Sequence, residues 1–144
     1  MDIIVDTNIV FSAILTSTGK IAELLANKPA GLNYFTPNHM LKELETHSKK
    51  LLSLTAYTRD EYDEARNFVI QQIQVVAITN ISLVNQKIAG EILIDIDKED
   101  APFLALAFEK NAMLWTGDKK LIKGLSAKEH FNIITTDILY SQYY

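Results

Sequence analysis

Four acidic residues, Asp6, Glu43, Asp100 and Asp118, fall in four separated segments of the chain, each beside an apolar run. Carboxylates brought within about 4–6 Å raise one another's pKa values and cannot all stay ionised without a counter-charge. A divalent cation supplies that charge, and an oxygen-only donor set suits Mg²⁺ or Mn²⁺ better than zinc. Such a metal positions water and steadies the charge on a phosphodiester during in-line displacement. No other nucleophile competes. The chain has no cysteine, which excludes disulfides, thiolate zinc sites and a cysteine nucleophile. His39, His47 and His130 lack any triad context. His39 and His47 flank Glu43 one helical turn on either side, so they face either the same cleft or, as helix histidines more commonly do, solvent.

The elements that must position these acids alternate between β-rich and helical patterns. Asp2 to Asp6 reads as a first strand, almost wholly β-branched and so buried on both faces. Asn8 to Asn27 reads as helix, broken near Ser17-Thr18-Gly19, and Leu32 to Phe35 as a second strand. Thr36-Pro37 has the form of an N-cap with proline at the first helical position, opening a helix to about Leu52. Thr58-Arg59-Asp60-Glu61 is a capping box for a helix to about Gln74. Val75 to Ile78 is a third strand, and Ser82 to Leu93 a further helix. Asp97 caps a helix to Lys110 that carries Ala101, Leu104, Ala105 and Phe108 on one face. Ala112 to Thr116 and Ile133 to Thr135 complete five strands, with a short helix over Lys119 to Lys123 and a last one over Asp137 to Tyr143. Strands separated by helices predict an α/β fold: a three-layer α/β/α sandwich around a mostly parallel, roughly five-stranded sheet.

Ligands of such sheets bind outside the carboxyl ends of the strands. Asp6 closes the first strand and Asp118 follows the fourth, so both project at one rim if those strands are neighbours. Asp100 lies in the first turn of the helix before the fourth strand, and Glu43 in the helix after the second. Each acid also has a purely structural reading. Asp6 suits an Asx turn, and Asp97 with Asp100 is a helix-start signature. Asp118 suits a cap. Glu43 suits a solvated helix face, with Glu45 pointing about 200° away from it. Asn8 is either a turn residue or a partner that orients Asp6 or a bound water, and Thr116 either a strand residue or a hydroxyl near a phosphate. Asp97 either only caps its helix or reaches a metal through water.

The 144 residues fit one domain, residues 1–144, and 48% hydrophobic content suffices for one core. The longest apolar run, Ala101 to Phe108, is far short of the roughly 20 residues of a membrane helix. Met1-Asp2 leads straight into a strand without a basic stretch or apolar leader, so a cytoplasmic protein with no membrane association is expected. The net charge of −4 opposes a nucleic-acid role, since such proteins usually carry a basic face. Carboxylates gathered around cations would not repel a phosphate backbone as free ones do. Lys119, Lys120 and Lys123 form a basic stretch beside Asp118 that is either a solvated face or a grip on a phosphate backbone.

Across almost its whole length the sequence resembles a PIN domain. Ile3-Ile4-Val5-Asp6-Thr7-Asn8 resembles that family's opening motif, and Met40-Leu41-Lys42-Glu43-Leu44 its second. Asp100-Ala101-Pro102-Phe103-Leu104-Ala105-Leu106-Ala107 resembles the third, and Leu114-Trp115-Thr116-Gly117-Asp118-Lys119-Lys120-Leu121 the fourth. Each motif is short, and the signal lies in their order and spacing. The resemblance implies metal-dependent cleavage of single-stranded or loop RNA with Asp6, Glu43, Asp100 and Asp118 as metal-binding catalytic acids. It further implies a homodimer and, as in VapC-like toxins, an antitoxin partner. Other readings are a catalytically silent PIN-like module that binds RNA or protein, and a different Mg²⁺-dependent phosphoryl-transfer domain. A phosphatase of the haloacid-dehalogenase type would want a second Asp at Asn8; a receiver domain would want an Asp where the third strand ends in Thr79-Asn80.

Overall fold

The computed structural model describes residues 1–144. Five strands, β1 (Asp2–Val5), β2 (Asn33–Pro37), β3 (Gln74–Val76), β4 (Met113–Trp115) and β5 (Ile133–Ile134), form one all-parallel sheet in the order β3-β2-β1-β4-β5. The chain builds outward from β1 to β2 and β3, then returns to the opposite side of β1 for β4 and β5. The reversal between β1 and β4 leaves a crevice beyond their carboxyl ends, where ligands of open parallel sheets bind.

Eight α-helices cover the sheet: α1 (Thr7–Leu15), α2 (Lys20–Ala26), α3 (His39–Ser53), α4 (Arg59–Gln71), α5 (Leu83–Leu93), α6 (Ala101–Lys110), α7 (Lys119–Ala127) and α8 (Thr136–Ser141). The starts follow local chemistry. The Asp6 side chain accepts from Thr7 N–H at the head of α1, and Thr58 with Glu61 closes a reciprocal capping box on α4. Ser82, Asp118 and Thr135 cap α5, α7 and α8 through their side chains. The break between α1 and α2 falls at residues 16–19, where Gly19 takes φ +99°, a conformation L side chains rarely adopt. No single helix is long and apolar enough to cross a membrane.

Thr36-Pro37 does not start a helix. Both residues extend β2, in register with Val75 and Val76, and the buried Thr36 hydroxyl donates to Val5 O at 2.9 Å. Proline is accommodated because it is the last residue of its strand. Helix α3 therefore starts at His39, with Asn38 as a cap that makes no side-chain bond. The third strand ends at Val76, and Ile78–Asn80 forms a 3₁₀ turn instead of its continuation. Asp97 caps a 3₁₀ turn, Lys98–Asp100, that precedes α6. Helix α6 is buried on more than one face: Phe103 to Ala107 are all in the core, because the helix lies between β1, β2 and β4 on one side and α5 on the other. A single cluster of 34 buried apolar residues runs through the molecule, from Ile3 to Leu139.

Candidate metal centre

Asp6 is the first residue beyond β1, and its backbone N–H bonds to Trp115 O at 3.0 Å, which ties it to the end of β4. Its Oδ1 accepts from Thr7 N–H at 2.8 Å and its Oδ2 from the Thr116 hydroxyl at 2.6 Å. Thr116 is a hub. Its Oγ1 also accepts from Asp118 N–H at 3.1 Å and from Asn8 Nδ2 at 3.4 Å. Neighbouring strand ends are thereby locked to one another. The Asn8 amide thus reaches Asp6 only through the Thr116 hydroxyl.

Asp118 caps α7, with Oδ1 accepting from Lys120 and Leu121 N–H, so its other oxygen is free to face the crevice. Asp97 accepts from Glu99 N–H at 3.1 Å, which also leaves one oxygen. Asp97, Asp100 and Asp118 each offer a carboxylate oxygen, and the three lie within 4.8 Å of one another. Asp97 thus both caps and joins the tightest acid group. Glu43 enters from α3, where its Oε1 accepts from the Thr7 hydroxyl at 2.8 Å.

The electrostatics bind the acids into one cleft. Asp6 is raised from 3.8 to about 6, chiefly because burial disfavours its charge, with Glu43 and Asp118 adding repulsion against the hydrogen bonds from Thr116 and Thr7. Asp100 is raised from 3.8 to about 8 by burial and then by repulsion from Asp6, Asp97, Asp118 and Glu43. Its Oδ2 is buried with no hydrogen-bond partner, as is Asn8 Oδ1. A buried carboxylate oxygen without a partner, facing several like charges, fits a divalent cation, and the all-oxygen donor set fits Mg²⁺ or Mn²⁺.

Of the four acids named from the sequence, Asp100 and Asp118 join Asp97 in the close group, while Asp6 and Glu43 lie outside it yet near enough to add repulsion at Asp100. Two residues of the cleft carry less sequence signal. His39 Nε2 lies 3.7 Å from Glu43 and 3.8 Å from Glu99, and its ring meets Phe103 edge-on. His47, exposed, has its ring against Phe11 instead. The spacing of His39 and Glu43, four apart on α3, was the available clue; nothing local marks Glu99. Lys119, Lys120 and Lys123 are exposed on α7, the first two next to Asp118. The largest cavity, about 810 Å³ between α1, α2 and α4, is mainly apolar and has none of the cleft acids in its wall.

The structure is thus an all-parallel α/β fold with a cluster of carboxylates beyond the strand ends at its switch point. The chain belongs to the PIN-domain family, whose sequence profile matches residues 4–137. Its fold is also similar to that of a chain in the crystal structure of VapBC2 from Rickettsia felis bound to a DNA fragment from their promoter. The TM-score is 0.64 at 19% identity, over 94% of this chain and 97% of that one. No match is found among curated proteins.

Proposed function

We propose that this protein is a Mg²⁺- or Mn²⁺-dependent endoribonuclease, with Asp6, Glu43, Asp100 and Asp118 as its metal-binding catalytic acids. The observation that carries this reading is the partnerless, buried Oδ2 of Asp100 beside Asp97 and Asp118. A bound cation would supply the positive charge that relieves these acids, activates water and steadies a scissile phosphodiester. The chain's own residues do the positioning. Thr116 and Thr7 fix both oxygens of Asp6, Thr7 also fixes Glu43, and Asn8 steadies the Thr116 hydroxyl. Asp97 is either a further metal contact or one that acts through water. Lys119, Lys120 and Lys123 would hold the RNA backbone beside the acids, which makes affinity salt-dependent.

The family membership and the VapBC2 likeness support a toxin role with an antitoxin partner. A homodimer is favoured by α5. Its outward face carries exposed Leu83, Val84 and Ile88, with exposed Ile94 just beyond. Lys87 and Glu91 lie between them, so an antiparallel two-fold pairing sets Lys87 against the partner's Glu91 twice over. A cytoplasmic location goes with this reading.

The test is cleavage of a mixed RNA pool by purified protein with Mn²⁺, against Asp6→Asn and against chelator. Cleavage lost in both controls supports the nuclease. Identical behaviour of the wild type and the variant rejects it in favour of a silent binding module.

A further inference from the structure

Another cavity, of about 320 Å³, opens between α1, the turn that follows it and the start of α8, and is lined by Ser12, Thr16, Thr18, Lys20, Ile21 and Thr136. Both of its walls connect to the Thr116 hub. On one side, Ser12 is four residues after Asn8 on α1, so the two share a helix face about 6 Å apart along the axis. On the other, the Thr136 hydroxyl accepts from Trp115 Nε1 at 3.0 Å, and Trp115 immediately precedes Thr116. Because Thr136 accepts that bond, its own O–H proton remains available to a ligand.

The lining chemistry is opposite to that of the acid cleft. It offers four hydroxyls, one ammonium and no carboxylate. Asp137 stands at the edge and pairs with Lys20 at 2.8 Å, with the two side chains 83% and 51% exposed. An ion pair that exposed is weak and yields to a competing anion. Serine and threonine hydroxyls together with lysine are common donors to nucleic-acid phosphates, and such contacts set the register of the strand without reading its sequence.

We propose that this cavity holds a backbone phosphate of single-stranded RNA flanking the scissile bond, with Lys20 and Thr136 as its principal donors. The proposal rests on the nuclease reading. It assigns Lys20 and Thr136 to positioning the strand. Asp137 acts as a competitor that holds the lysine when no RNA is bound.

The experiment measures both cleavage kinetics and fluorescence-anisotropy binding of a labelled single-stranded RNA, across a salt series. It compares wild type, Lys20→Gln, Asp137→Asn and, as a control for net charge alone, Lys49→Gln, at an exposed lysine of α3. Lys20→Gln is expected to weaken binding and raise KM about ten- to a hundredfold, the scale of one charge-assisted hydrogen bond, at unchanged kcat. It should also reduce the salt slope by about one. Asp137→Asn, which frees the ammonium, should tighten binding. Equal losses in Lys20→Gln and Asp137→Asn would make the pair merely structural, and equal losses in Lys20→Gln and Lys49→Gln would reduce the effect to diffuse charge. Either outcome overturns the proposal, as does an unaltered Lys20→Gln. If the wild type binds RNA with this pattern of variants but cuts none, the nuclease reading fails and the phosphate subsite stands.

Discussion

Replacing Asp100 by asparagine isolates the electrostatic cost at the centre of the cleft. In the folded, metal-free protein, burial and four neighbouring acids raise Asp100 from 3.8 to about 8. The unfolded chain releases that proton near the ordinary aspartate value. Between those limits the native state binds more protons than the unfolded state, so this group makes stability fall as pH rises from about 4 to about 8. At about 1.4 kcal/mol per pKa unit, the roughly three units from 3.8 to pH 7 set a ceiling on the order of 4 kcal/mol. Asparagine has nearly the same shape and no charge, and its amide can donate to the carboxylates of Asp97 or Asp118. Denaturant melts of metal-free wild type and Asp100→Asn should therefore coincide near pH 4 and diverge with rising pH. By pH 8 the variant is expected to be more stable by about 1–4 kcal/mol, or several degrees in Tm. The rise in Tm that Mn²⁺ gives the wild type should be absent from the variant. A variant less stable than the wild type at pH 8, or one that keeps the full Mn²⁺ shift, would refute the reasoning.

Other perturbations test the surrounding network. Thr116→Val removes the 2.6 Å bond that favours the Asp6 carboxylate, so the Asp6 pKa should climb further above about 6. Calorimetry is then expected to give about 10–100-fold weaker Mg²⁺ binding, the usual scale for a lost orienting partner. Thr7→Val frees Glu43 from its 2.8 Å bond and should lower kcat with little change in Tm, read by parallel cleavage assays and melts. In Asp6→Asn, the variant's advantage over metal-free wild type should appear in a narrower pH window, about 4 to 6, because Asp6 is raised less than Asp100. Val84→Asp puts a charge on the outward face of α5 and should turn a dimer into a monomer in sedimentation velocity.

Much of this arrangement is legible in the sequence because the signals are local. The β-branched run before Asp6 declares a doubly buried strand, and the Thr58-Glu61 box and Ser82 declare their helices. Asp6 and Asp118 follow from the rule that ligands gather at strand ends. Thr36-Pro37 misleads because its cap-like form is local, whereas the sheet pairing on both sides of β2 that overrides it is not. For the same reason the one-sided pattern assigned to α6 understates its burial, which depends on α5 lying across it. The Thr116 hub, the Thr7–Glu43 bond and the His39–Glu99 approach join residues far apart in the chain, and no spacing rule announces them. Asp97 reads from its position as a cap, with a water-mediated metal role beside it; the fold makes it a cap and sets a carboxylate oxygen near those of Asp100 and Asp118.

The most direct test of a metal-centred cleft is the anomalous diffraction of Mn²⁺ in crystals of the wild-type protein. A peak is expected at coordination distance, about 2.0–2.2 Å, from carboxylate oxygens of Asp100 and Asp118, within the crevice closed by Asp6 and Glu43. Manganese found only at exposed surface carboxylates, with the crevice empty at millimolar metal, would contradict it.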